Sequence, residues 1–307
     1  MTPTLVRQHV SHADSTPRVD RSARARDWSE IQERMLVPLY EAVYERLEVG
    51  PATRLLGLRC GSGLALLLAA GRGATVTGVD DSSPERLALA RERLPATAPH
   101  HAGEGTPVAR GGRSGPQACA VAPHVDGGPR PVDGSARDAV GADTSGYTLL
   151  TVFEPIGCLA GDSEGLGGLL ATALPRAGRG AAVVLAGWGP PERCATASVL
   201  RVATRLADPL RSARSWRPAR RDDLEEVAQR AGLKPDGSGR VACPFGYADA
   251  DSAVRGLLST GLFDAAIAAT DAKQVDKELT EALHPHRRPD GTVWMPNVFR
   301  YLVARVP

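Results

Sequence analysis

Apolar residues recur every three or four positions at Trp28, Ile31, Met35, Leu39, Val43 and Leu47, one stripe of an amphipathic helix. The stripe predicts a helix from Asp27, bent at Pro38 and ended by Val49-Gly50-Pro51. The chain then alternates. Residues 54–58 read as a short buried strand, Gly61-Ser62-Gly63 as a turn, and 64–70 as an apolar helix stopped by Gly71 and Gly73. Residues 74–79 predict a second strand that ends at Asp80. Ser83 before Pro84 is a helix start, because Ser caps free N–H groups and Pro has none to leave unpaired. Strand, helix, strand, helix in this rhythm predicts a parallel sheet covered on both faces.

The rhythm breaks over residues 95–146. That window holds 10 Gly and 7 Pro and shows no apolar period, so an unstructured surface insertion is expected, hiding a third strand that cannot be placed. Order resumes with strands at 147–153 and 181–186 and helices at 164–174, 191–206 and 221–231. A short strand at 239–243, helices at 249–258 and 271–283, and an extended terminal segment at 293–304 complete the pattern. Residues 1–26 are polar, with a basic run at Arg18, Arg21, Arg24 and Arg26, and read as a solvated flexible tail ahead of one domain spanning 27–307.

Composition narrows the class. The 307 residues are 42% hydrophobic and 23% charged, enough to bury a large core. A net charge of +2 argues against a dedicated nucleic-acid binder. No apolar run approaches the roughly 20 residues of a membrane helix, and no secretory signal follows Met1, so the expected location is the cytoplasm. Five dispersed cysteines (Cys60, Cys119, Cys158, Cys194, Cys243) without a C-x-x-C pair make a disulfide scaffold or zinc ribbon a poor fit. His100-His101 and His284-Pro285-His286 lack a third ligand at useful spacing. Only three basic residues are Lys, which reads as the coding bias of a GC-rich genome.

Chemistry is expected at the turn after the first strand. Gly-rich turns there admit a ligand to the backbone, and the next helix offers free N–H groups. The dinucleotide fingerprint is incomplete, because Leu66 stands three residues past Gly63. Asp80 ends the second strand, where a carboxylate can accept both hydroxyls of a ribose. The alternative is a plain connecting turn, with Asp80 capping the next helix.

The run Leu55-Leu-Gly-Leu-Arg-Cys-Gly-Ser-Gly63, with Val79-Asp80 and Ser83-Pro84, resembles the opening of class I S-adenosylmethionine-dependent methyltransferases. Phe153-Glu-Pro-Ile156, the run from Ala186 to Glu192 and that from Arg288 to Tyr301 resemble small-molecule methyltransferases of actinobacterial type. The resemblance implies a Rossmann-like α/β fold with seven strands, the last antiparallel. It also implies S-adenosylmethionine (SAM) as cofactor, held by Gly61, Gly63 and Asp80, and a small-molecule acceptor. The first-strand motif departs from the family at two places. Gly57 stands where an acidic residue helps hold the cofactor's ammonium end, and Arg59 stands at the first glycine.

Two unit positive charges at about 4 Å repel by roughly 1 kcal/mol in water and by more in a drier site. Lost contact and repulsion together, on the order of 2–4 kcal/mol, weaken binding roughly 30- to 1000-fold. Two escapes exist: Arg59 turns away onto a carboxylate such as Glu154, or the site takes an anion instead. Glu154 is also the candidate general base, with a helix-capping or Arg-pairing role as the alternative. Trp188 walls the pocket or sits in the core, and Trp28 and Tyr40 form a lid or pack on the sheet edge. Glu104 and Asp133 are weak candidates for an adenine contact. The sequence therefore leaves two functions open: a binding or regulatory protein with impaired cofactor binding, serving a small molecule or a protein partner, and an active methyltransferase.

Overall fold

The computed structural model describes residues 20–94, 146–159, 161–207 and 220–307. Its strands are β1 (Arg54–Leu58), β2 (Thr75–Val79), β3 (Tyr147–Ile156), β4 (Ala177–Trp188), β5 (Lys234–Ala242), β6 (Phe245–Tyr247), β7 (Val293–Met295) and β8 (Val298–Arg305). Six of them form the central sheet in the order β2-β1-β3-β4-β8-β5. β1 pairs in parallel with β2 and β3, and β3 with β4, while β8 runs antiparallel between β4 and β5. This is a Rossmann-like, mostly parallel sheet with an antiparallel last strand. The strand expected within 95–146, and the disorder expected there, fall on residues 95–145, outside the described residues.

Alternation along each strand builds two cores, since successive side chains point to opposite faces. Leu55, Leu149 and Val184 face one way, onto α2 (Val37–Arg46), α3 (Leu64–Gly71), α6 (Thr196–Ala207), α8 (Ala250–Ser259) and α10 (Ala272–Leu283). Leu56, Leu150 and Val183 face the other way, onto α5 (Asp162–Ala173) and α7 (Asp223–Arg230). α4 (Pro84–Arg93) starts as expected, with the Ser83 hydroxyl accepting from the Arg86 N–H at 3.2 Å.

The N-terminal helix departs from its prediction. It starts at Arg21, because the Asp20 carboxylate accepts from the Ser22 and Ala23 N–H groups, so residues 21–26 are helical where a tail was expected. Nor is it continuous. α1 (Arg21–Asp27) passes into a π turn (Trp28–Gln32), then a 3₁₀ turn (Glu33–Leu36), then α2. Pro38 lies in the first turn of α2, where its missing N–H costs nothing, so it begins a helix instead of bending one. The π turn shifts the buried stripe onto Ser29, Gln32, Glu33 and Leu36.

The terminal segment also differs, splitting into β7 and β8 at Pro296-Asn297. β7 pairs with β6 in a small separate sheet. With α8, α9 (Asp264–Ala269) and α10, this sheet makes a cap between β5 and β8, and Phe245, Thr260 and Leu262 of the cap reach the carboxyl edge of the main sheet.

Candidate functional site

The chain leaves β1 for β2 on one side and returns to β3 on the other. The carboxyl ends of β1 and β3 therefore open a crevice at a topological switch point. The loop after β1 rises into it with three residues at positive φ: Arg59 (48°), Gly61 (59°) and Gly63 (80°). Gly63 is required twice over, because its backbone is left-handed and a Cβ there would lie 2.9 Å from the Ala90 Cβ of α4. Arg59 holds a left-handed conformation that costs an L-residue roughly 1–2 kcal/mol.

Asp80 closes this loop. One carboxylate oxygen accepts from the Gly61 N–H at 2.8 Å, and the other from the Ser82 N–H at 2.8 Å and the Ser82 hydroxyl at 2.6 Å. Both oxygens of this buried side chain serve the protein's own turns. The sequence placed Asp80 correctly at the end of β2.

Arg59 turns onto Glu154, the first of the two escapes. Its Nη1 donates to Glu154 Oε2 at 2.8 Å. Burial lowers the Arg59 pKa, but the Glu154 carboxylate, with Asp81 and Asp80 beyond it, outweighs this and the net shift is upward. The pair is 36% and 46% exposed, so it contributes at most about 1 kcal/mol. It neutralises much of the repulsion expected from sequence. It also commits one oxygen of the candidate base Glu154.

Gly57 faces Gly78 in register across β1 and β2. Leu66 of α3 is wedged over both: a Cβ at Gly57 would lie 2.7 Å from its Cδ2, and one at Gly78 would lie 2.5 Å from its Cδ1. The space an acidic side chain at 57 would need is filled by leucine.

The N-terminal segment covers the rest of the loop. The buried Glu33 carboxylate accepts from the Ser62 hydroxyl, from Arg93 Nη1 at 2.7 Å and from the Leu64 N–H at 3.4 Å, so it caps the start of α3. Arg93 also donates to the Ser62 carbonyl at 3.0 Å and the Ser29 carbonyl at 3.1 Å, and to the Ser29 hydroxyl. Trp28 lies against the loop, its Nε1 3.0 Å from where a Gly61 Cβ would stand. The Arg86 guanidinium stacks 4.1 Å from the centre of the Trp28 ring and donates to the Ser259 carbonyl. Burial pulls Arg86 downward against the opposing pull of Asp80 and Glu154.

What remains open is a cavity of about 110 Å³. Tyr40, Phe153, Trp188, Phe245 and Phe299 wall it. Trp188 and Phe299 lie 4.6 Å apart between ring centres, and Tyr40 and Phe153 4.7 Å. Both sequence alternatives for Trp188 hold, since it packs on core rings and faces the cavity. Burial, then Glu33, raises Tyr40 well above the ordinary tyrosine range. Burial pushes Cys158 up to about 12, against a hydrogen bond from Trp188.

Sequence reading missed Ser29, Gln32, Glu33, Ser62, Arg86 and Arg93. A polar stripe at 29, 32, 33 in phase with Leu36 and Tyr40 was the available signal. His284 and His286 lie in a 3₁₀ turn, and among the described residues no group of three His, Cys, Asp or Glu is placed to hold a metal. His100, His101, Glu104 and Asp133 lie outside the described residues. No described helix is long and apolar enough to cross a membrane.

No family model matches the chain, and no curated protein matches it. Solved structures do. A SAM-dependent methyltransferase from Thiobacillus denitrificans in complex with S-adenosyl-L-homocysteine is 16% identical at TM-score 0.49, covering 94% of this chain and 99% of that one. A putative methyltransferase from Bacillus halodurans is 13% identical at TM-score 0.47, covering 87% and 98%. Geranyl diphosphate C-methyltransferase from Streptomyces coelicolor is 12% identical at TM-score 0.42, covering 90% and 80%. Likeness at this level leaves activity to be read from the residues of the site.

Proposed function

We propose that this chain is a class I methyltransferase-fold protein whose crevice binds SAM weakly or not at all, and that it serves as a binding or regulatory protein. SAM, when bound, supplies an electrophilic methyl group and carries a sulfonium and an ammonium cation, which call for free acceptors. The lining offers few. Gly57 has no side chain, Asp80 spends both oxygens on its own turns, and Glu33 and Glu154 are engaged with Arg93 and Arg59. The observation that carries the reading is Leu66 wedged over Gly57 and Gly78, in the space that an acidic side chain at 57, which the resemblance assigns to the cofactor's ammonium end, would enter. The open volume of about 110 Å³ agrees with it, being below the roughly 300–1,000 Å³ of small-molecule sites.

A second reading, an active methyltransferase on a small-molecule acceptor, is favoured by one observation. Arg59 is turned onto Glu154 while Gly61 and Gly63 keep the left-handed backbone of a ligand-cradling loop. Calorimetric titration with SAM and S-adenosyl-L-homocysteine separates the two. No heat at millimolar ligand supports the first reading; clear micromolar binding removes it in favour of the second.

A further inference from the structure

Tyr40 lines the crevice cavity and is 3% exposed, yet among the described residues no group hydrogen-bonds its hydroxyl. Unlike Trp28 Nε1, that hydroxyl is not sealed off, so it opens on the cavity. Buried polar groups find partners in folded proteins, and one left open on a cavity marks where a bound molecule can supply the partner. Glu154, on the same cavity, uses only Oε2 for Arg59, and among the described residues nothing donates to its Oε1. The two cations of the lining are already engaged: Arg59 on Glu154, and Arg86 on the Trp28 ring and the Ser259 carbonyl. Three neutral side chains of the lining give the sign of the local field. Burial acts first on each. Beyond it, Glu33 pushes the Tyr40 phenol up more than Arg93 draws it down, Asp80 and Glu33 push the Cys60 thiol up, and Asp162 and Glu154 push the Cys158 thiol up. The field is negative at all three. The rest of the wall is aromatic, and ring faces carry the same sign.

We propose that the crevice binds a small organic ammonium cation, its apolar body against the aromatic wall and its N–H groups donating to the free Glu154 oxygen and the Tyr40 hydroxyl. An ammonium is all donor, which suits two unfilled acceptors, whereas a carboxylate meets the field and the ring faces with the wrong sign. The open volume, about 110 Å³, is close to the roughly 150 Å³ of a cavity that takes up one benzene. A space this small brings opposite walls within reach of one occupant. The inference rests on the reading that SAM does not occupy this crevice. SAM brings two cationic centres and a nucleoside; a one-ring monocation asks for one countercharge and the space of one ring.

The full chain is titrated calorimetrically at neutral pH with benzylamine, which is then protonated, with benzyl alcohol, with benzoate and, separately, with SAM. Benzylamine is expected to bind roughly tenfold more tightly than benzyl alcohol, with benzoate silent. Glu154→Gln keeps the shape and the acceptor but removes the countercharge, and is expected to erase most of that tenfold preference. Tyr40→Phe keeps the ring and removes the open hydroxyl, and is expected to weaken benzylamine roughly threefold or more. The two substitutions lie on different elements, so the test survives if either variant fails to fold. Equal affinity for all three probes, benzoate binding as tightly as benzylamine, benzylamine unaffected by both substitutions, or no benzylamine heat at millimolar levels overturns the inference. SAM silent with benzylamine silent leaves the proposed function standing and removes only this site. SAM binding that benzylamine displaces removes the proposed function and keeps the cation site.

Discussion

Gly57→Ala tests the wedge that closes the crevice. The new Cβ would lie 2.7 Å from Leu66 Cδ2, whereas carbon atoms settle near 3.5–4.0 Å, so Leu66 must retreat by about 1 Å. It cannot pivot freely, because its other methyl sits over Gly78, 2.5 Å from where a Cβ there would stand. Its way out is into the crevice cavity it lines. Overpacking of this kind costs roughly 1–3 kcal/mol. Replacing glycine at an ordinary φ returns roughly 0.4–1 kcal/mol through the unfolded chain. The expected net loss is about 1–2 kcal/mol, or a fall of about 2–8 °C in Tm for a domain of this size.

Leu66→Ala alone, at a buried position, costs about 2–5 kcal/mol. In that background Gly57→Ala is expected to be neutral or stabilising, a coupling on the order of 1–3 kcal/mol. Urea midpoints and thermal melts of the four proteins measure the cycle. An equal loss from Gly57→Ala with and without the leucine would show that the two side chains do not compete, and the account of the closed site would fail.

Three further outcomes are expected. The triple change Gly57→Asp, Arg59→Gly and Leu66→Ala should raise SAM affinity roughly 30-fold or more, while Gly57→Asp with Arg59→Gly alone should not, since Leu66 still fills the space; calorimetry decides, and equal gains refute it. Asp80→Ala should cost about 2–4 kcal/mol in urea denaturation with no ligand present, because it frees three donors of the protein's own turns; an unchanged midpoint would return Asp80 to a purely ligand-binding role. Stability should fall above about pH 9. Burial raises the Cys60 thiol, and takes Cys158 and Cys243 to about 12, while Tyr44 and Tyr247 are raised likewise. The unfolded chain then releases protons that the folded chain keeps, so stability is whole below the unfolded thiol value and is lost toward pH 12, by up to about 1.4 kcal/mol per pH unit per group. Equal urea midpoints at about pH 8 and about pH 10 would refute this.

The local rules written into the chain were legible without coordinates. The alternation from Arg54 to Arg93 named two strands, two helices and the turn between them, because each element's period and caps are set by neighbours a few residues away. Asp80 could be placed for the same reason. Arg59 was legible as an anomaly, and its pairing with Glu154 as one of two options, but choosing between the options needed β1 and β3 side by side. Glu33 shows the limit most clearly. Read along the chain it is a solvent-facing acid on an amphipathic helix. It is buried only because a π turn rotates it inward and because Arg93 and Ser62, 60 and 29 positions away, arrive to hold its charge. Leu66 likewise reads as one more apolar residue, and only the pairing of Gly57 with Gly78 makes it a wedge. Hydrophobic period reports which side of an element is dry. It carries no record of which distant partner satisfies a buried charge or which side chain fills a gap, because those depend on packing between segments that the sequence keeps far apart.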